Sequence, residues 1–362
     1  MFLDRNTIGK ESNPSLNLVG AGASDTARIF VLLFLLLLLL LAAAASAVVG
    51  AYDVRVTDAL RILASHLNPF SAAAGGFGRL QETVVWDLRV PRILLAVLVG
   101  MALGSAGAVF QGCFRNPLVE PYILGVSSGA AFGAALGILF PWFALSVQAS
   151  AFLFGFLAVL LTVGLARVRG ETPALTLILA GVIVGSVFAA LVSILKYVAT
   201  EASLREIVFW LMGGFYFATW QDVALLALVV VPGFSGAWML GWRLNILSMG
   251  DDEARTLGVH PEITRFVLVL LATMITSVVV SVAGVIVWVG LMMPHASRLL
   301  LGPDHRYLIP GAAAMGAIYL LACDTLARTL TAAEIPIGIL TSLIGAPYLF
   351  YLLRTRGRDV LG

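Results

Sequence analysis

Charge is scarce in this chain. Of its 362 residues, 12% are Asp, Glu, Lys or Arg and 60% are hydrophobic, against the roughly 25% charge of an average soluble domain. A water-soluble globule is excluded. Lysine is nearly missing, with Lys10 and Lys196 the only two. Neither completes a phosphate-binding loop, in which backbone amides and a lysine followed by Ser or Thr hold the phosphates. Gly9-Lys10-Glu11 lacks the hydroxyl residue, and Leu195-Lys196-Tyr197 closes an apolar run. Any ATP hydrolysis therefore belongs to another polypeptide. Cysteine is limited to Cys113 and Cys323, each inside an apolar stretch, which excludes a disulfide framework and a cysteine metal cage. Both read as small buried side chains. The four histidines, His66, His260, His295 and His305, include no i, i+4 pair and no H-E-x-x-H, so a metal hydrolase is unsupported. They read as loop or helix-end residues, and His66 is the one that could touch a haem-like substrate. A net charge of +2 with scattered basic residues excludes nucleic acid as a partner.

Long apolar runs are abundant. A bilayer-spanning helix takes about 20 residues, and the hydropathy pattern predicts ten of them, over 29–50, 91–112, 121–140, 145–166, 174–195, 221–241, 263–283, 284–301, 308–328 and 336–353. The expected fold is all-α, a polytopic membrane protein. It divides into an N-terminal segment 1–28, one ten-helix domain 29–353 and a tail 354–362. The first run is read as a retained helix rather than a signal peptide, because the segment before it is long and mixed in charge, with Asp4, Glu11 and Asp25 beside Arg5, Lys10 and Arg28. Ten spans put both termini on one side. Fourteen of the 22 Lys and Arg residues then fall with the termini and eight opposite, which makes both termini cytoplasmic. Two loops are long: an outer one, Ala51 to Arg92, and an inner one, Trp242 to Glu262.

Enzyme-like patterns carry little. Gly125-Val126-Ser127-Ser128-Gly129 matches the serine-nucleophile string, but that motif needs a strand-to-helix elbow, and small residues at this density in membrane sequence read as helix packing. Asp324 and Arg328 stand i, i+4 inside a span, where an ionisable residue is read for function first; mutual pairing is the plainer reading. An intramembrane aspartyl protease would want a facing carboxylate, and Asp251 and Asp252 lie in the inner loop instead. An ion-coupled secondary transporter is the alternative function, weakened because most spans carry no charge.

Several strings are distinctive: "LRVPR" at 88–92, "QGCFRNPLVEPYILGVSSG" at 111–129, "GDDEARTLGV" at 250–259, "VGLMMPHASRL" at 289–299, "DHRYLIPG" at 304–311 and "AEIPIGILTSLIGAP" at 333–347. In this order they resemble the permease family of bacterial ABC importers for iron-siderophores, haem and cobalamin, over roughly Trp86 to Leu353. The resemblance implies the type II ABC importer permease fold and a second permease copy. It also implies two separate ATPase subunits, which bind the ATP and Mg, and a periplasmic substrate-binding protein. No cofactor is expected in this chain, and the expected location is the inner membrane.

The resemblance also implies site residues. Arg89, Arg92 and Arg328, expected at the outer mouth, would accept acidic residues of the binding protein; local pairing with Asp87 or Asp324 is the alternative. Asn116 and Leu118 would narrow a cytoplasmic gate. Ala174 and Leu175 stand where the family uses small polar residues at the start of the fifth span, which makes the expected inner gate apolar. Ala254, Arg255, Leu257 and Gly258, within the loop at about 242–262, would form the coupling helix that takes up ATPase motion, with Gly258 as its stop. Gly and Pro in 334–347 predict an interrupted helix against protein or a cavity. Spans two to five and seven to ten are expected to be related by inversion.

Overall fold

The computed structural model describes residues 24–50, 52, 54–67, 78–142, 145–167, 173–331 and 333–361. Arg5, Lys10, Arg169 and Gly362 lie outside them, as does most of the segment 1–28. The described residues are helical throughout, with no strand among them.

Helix α1 (Asp25–Val48) starts at Ser24, whose hydroxyl accepts the Ala27 amide. Most of it is bare, and Phe30, Phe34, Leu37, Leu40 and Leu41 are all exposed. A helix that apolar on its free side is stable only against lipid. The predicted outer loop is largely helical. It contains α2 (Val56–Leu67) and α3 (Arg79–Glu82), and α3 passes through a π-helical stretch, Thr83–Arg89, straight into α4 (Val90–Phe114). The second span thus belongs to a continuous 36-residue helix beginning at Arg79. Ala59 and Ile62 of α2 pack against Val85, which joins this region to the bundle.

α4 is the central element. It lies against α14 (His305–Leu330) so closely that a Cβ on Gly100 would strike the Gly316 carbonyl, and one on Gly104 the Ala312 carbonyl. Gly107 meets Gly290 in the same way. Such small-residue seams bring helix backbones into contact in lipid. The chain then breaks at Arg115, makes a 3-10 turn at Pro121–Leu124, and resumes as the short α5 (Val126–Leu139). On α5, Gly129 faces the Phe154 carbonyl of α6 (Val147–Ala166), which supports the packing reading of the Gly125–Gly129 string.

α7 (Ala174–Val198) is followed by α8 (Glu201–Met212), which the hydropathy pattern did not mark, and by α9 (Trp220–Met239). α9 opens with a reciprocal cap between Thr219 and Asp222. The inner loop folds as α10 (Gly241–Met249) and α11 (Asp251–Thr256), after which Gly258 at φ 77 lets Val259 N–H reach the Ala254 carbonyl. α12 (Pro261–Ala283) and α13 (Val289–Leu301) are separated by a break at 284–288, so the predicted span 284–301 becomes helical only from Val289. α15 (Ile337–Leu361) runs unbroken through Pro347, so the interruption expected inside 334–347 is absent. The chain is broken just before α15, where Glu334 has φ 46.

Each of the ten predicted spans overlaps a helix, although 284–301 starts in the break at 284–288. Among the described residues seven helices are long and apolar enough to cross a membrane, and α5 and Ile337–Tyr351 are shorter apolar helices. α13 has 13 residues, about 20 Å at 1.5 Å per residue. The two halves share a pattern: a long helix, a break and a short helix, in α4–α5 and again in α12–α13.

Gly104→Val tests the α4–α14 seam. Overpacking typically costs about 1–3 kcal/mol, so this variant is expected to melt earlier in detergent than Gly78→Val, whose added Cβ has open space around it. Equal melting temperatures would show that the backbones are not in contact.

Candidate functional site

Charge gathers at the two ends of the bundle. At the end where α4 begins, Asp324 of α14 is fully buried and accepts Arg92 Nε at 2.8 Å, while its other oxygen lies 3.6 Å from Arg328 Nε. Arg92 Nη1 also pairs with Glu334 at 2.9 Å. Arg328 donates to the Ser46 hydroxyl at 2.7 Å and to its carbonyl. Arg89, 6% exposed, donates to the Ala47 and Val48 carbonyls at 2.8 Å and to the Tyr52 carbonyl. α1, α4, α14 and the turn before α15 are thereby tied together. The three arginines expected at an open mouth are mostly buried around a cavity of about 300 Å³ that Tyr216 and Glu334 also line. Local pairing with Asp324, the alternative reading, describes Arg92 and Arg328 in this structure. His66 is taken up by stacking on Trp86 and by Glu82, 3.4 Å from its Nε2.

Between the ends, the two breaks interlock. Tyr122 Oη donates to the Ile286 carbonyl at 2.8 Å, and Glu120 Oε1 accepts the Trp288 amide at 2.8 Å. Trp288 holds φ 77, a conformation that a bulky residue keeps only when its surroundings impose it. Gly345 supplies the room, because a Cβ there would enter the indole.

At the far end, Asn116 and Leu118 lie in the loop after α4, both exposed, with the Asn116 side chain accepting the Leu118 amide at 2.9 Å. Ala174 and Leu175 open α7, and Leu175 is exposed. Among the described residues no hydrogen bond or ion pair joins the two pairs. On α11, Ala254 is buried against the bundle, Arg255 pairs with Asp252 at 3.4 Å, and Leu257 stands 55% exposed. Met249 and Trp242 are exposed nearby in sequence. A cavity of about 670 Å³ lies beside them, lined by Arg115, Asn116, Asn245, Arg298 and His305 among others. Asn245 donates to Asp304, so its oxygen faces the His305 ring at 2.7 Å and places the proton on Nδ1. Partial burial alone would raise the Asp304 carboxyl, but hydrogen bonds from Arg306 and Asn245 outweigh it and hold the pKa at about 2.

Sequence reasoning missed four participants. Glu120 and Tyr122 were passed over because their partners are backbone groups more than 160 residues away. Asp251 reads from the sequence as a loop charge and Arg265 only as one basic residue on the cytoplasmic side, whereas they pair at 2.7 Å with Arg265 3% exposed. An arginine just inside an apolar helix was the available signal.

A helical bundle with a bare apolar outside, breaks in its interior and most of its ionisable groups at the ends is that of a polytopic membrane protein. The FecCD transport family matches residues 34–355, and the chain belongs to that family. It is 40% identical over 315 residues to the molybdate import system permease protein of Haemophilus influenzae, covering 86% of this chain and 92% of that one. It is 43% identical to the cobalamin import system permease protein of Halobacterium salinarum, over 78% of this chain and 76% of the other. Among solved structures, one described as a metal-chelate type ABC transporter in an inward-facing conformation matches 90% of this chain and 99% of its own, with 38% identity and a TM-score of 0.79.

Asp324→Asn should destabilise the bundle by about 3 kcal/mol or more, since buried arginines lose their carboxylate. Glu334→Gln, at a half-exposed site, should cost less than about 1 kcal/mol. Thermal unfolding in detergent checks both, and equal losses would refute the central place given to Asp324.

Proposed function

We propose that this chain is the membrane subunit of a binding-protein-dependent ABC importer carrying a metal chelate across the inner membrane. An iron-siderophore or haem is the first cargo to test and cobalamin the next. The observation that carries the reading is α11, a short helix at the end opposite the arginine cluster, with Leu257 exposed in a chain that has no phosphate loop of its own. An exposed leucine beside a solvated Arg255 suits a partner's groove, because burying an apolar side chain there contributes affinity.

In this reading the α11 end faces the cytoplasm, as does each terminus. Two copies of the chain form the path, and two ATPase subunits bind ATP and Mg below. Ala254, Arg255, Leu257 and Gly258 pass their motion on. Asn116, Leu118, Ala174 and Leu175 form the cytoplasmic gate where the copies face each other. A periplasmic binding protein docks at Arg89, Arg92 and Arg328, three cations against the two carboxylates Asp324 and Glu334. That surplus favours an acidic partner and makes docking weaken with salt. The names of the relatives span an oxyanion and a corrinoid at similar identity, which fits a cargo chosen mainly by the binding protein.

The test is reconstitution of the permease with its ATPase and ligand-loaded binding protein in vesicles. Uptake is expected only with ATP and both partners; uptake driven by a proton gradient alone would establish the secondary-transporter alternative instead. In the complete system Leu257→Asp should cut uptake about tenfold or more, the scale of losing an apolar anchor, while the ATPase keeps hydrolysing ATP. Normal uptake by that variant would remove α11 from coupling.

A further inference from the structure

Asp251 opens α11 and stands between two helices of the bundle. Its Oδ1 accepts from Arg265 Nη2 at 2.7 Å and lies 3.7 Å from Arg115 Nη2. Arg265 belongs to α12 and is 3% exposed, with Glu262 a further 3.8 Å partner. Arg115 is the residue that ends α4, in the left-handed conformation at φ 50, immediately before Asn116. One carboxylate at the start of α11 is therefore shared between a cation inside α12 and a cation at the break of α4. By contrast, Asp252 and Arg255 pair with each other on α11.

The two helices that meet at Asp251 are the two that are followed by the interlocked breaks. α4 leads through Arg115 to Glu120 and Tyr122, and α12 leads to Ile286 and Trp288, where the breaks lock together. A displacement of α11 reaches both helices at one point and at the same time. Packing of Ala254 holds α11 to the bundle, but an apolar contact can slide, whereas Asp251 is hydrogen-bonded to Arg265 and ion-paired with Arg115.

We propose that Asp251 is a positioning residue for transport: it is the joint through which a displacement of α11 is passed together to α12 and to the end of α4 that carries Asn116 and Leu118. This rests on the coupling role of α11 and goes beyond it by naming the route, through residues outside the 254–258 segment. Asp251 touches no cargo. Its loss should leave partner binding intact and lower the work obtained per ATP.

The test uses the whole importer in vesicles and reads cargo moved per ATP hydrolysed, retention of the ATPase on purification, and melting temperature. Asp251→Asn and Arg115→Gln should each keep the ATPase bound and hydrolysing. Cargo per ATP should fall about fivefold or more, the lower end of couplings between separate sites. The double variant should be no worse than Asp251→Asn alone, as for two partners in one interaction, and Asp251→Glu should regain most of the ratio. Wild-type ratios in both single variants, or losses that multiply in the double variant, would overturn the proposal. So would loss of the ATPase from the Asp251→Asn complex, which would make Asp251 a docking group. If Asp251→Asn fails to fold because Arg265 is left buried with its charge, Arg115→Gln decides, since the Arg115 side chain is 44% exposed and stays solvated. Failure here is distinct from failure of the broader reading: an impaired Leu257→Asp beside a normal Arg115→Gln removes only the joint, and a normal Leu257→Asp removes coupling through α11 altogether.

Discussion

Backbone that leaves the helix inside an apolar bundle must find hydrogen-bond partners there, because lipid offers none and each unsatisfied group costs several kcal/mol. The two breaks of this chain meet that constraint by serving each other. Tyr122, from the first, donates to the carbonyl of Ile286 in the second, and the Trp288 amide of the second donates to Glu120 of the first. Gln111 adds a bond to the Leu291 carbonyl at 3.2 Å. Neighbouring segments follow the same rule, with Gly214 N–H on the Ala283 carbonyl and Ile337 N–H on the Gly213 carbonyl. The breaks are consequently one structural unit, and the short helices α5 and α13 take their positions from it.

α4 connects that unit to everything else. Its small residues admit α14 and the start of α13 at backbone contact, which fixes the helix sideways. Its charged residues sit at its two ends, Arg89 and Arg92 at one and Arg115 at the other, and each is held by a different helix or turn.

The apolar runs made the helices legible, because lipid imposes one length and one composition on every span. α2 and α8 escaped notice for the same reason: with Arg61 and His66 in one and Glu201, Arg205 and Glu206 in the other, neither is uniformly apolar. The break after Ala283 falls where the predicted spans 263–283 and 284–301 meet, but its length did not show because Val285, Ile286 and Val287 are as hydrophobic as the helices on either side. What ends α12 is the positive φ of Gly284, pressed against the Trp210 carbonyl, and that contact is 74 residues away in sequence. Pro347 misled in the opposite direction, since a proline inside a membrane helix is tolerated where neighbours satisfy the freed carbonyl. For the site, residue types at the ends of spans were readable from the sequence, whereas burial was not. For Arg89, Arg92 and Arg328 an outer mouth was the expectation and pairing with Asp87 or Asp324 the alternative, and the sequence could not decide between them because Asp324 lies more than 230 residues from Arg92.

Scarcity of charge also explains where the structure can change. Asp324 stands between Arg92 and Arg328, and Asp251 between Arg265 and Arg115. A carboxylate with two cations keeps both while the helices that carry them move together, so a small concerted displacement at these ends avoids the penalty of an unpaired buried ion. The middle of the bundle has no such freedom. There the bonds run to single backbone groups, and breaking one leaves a donor or acceptor with nothing to replace it.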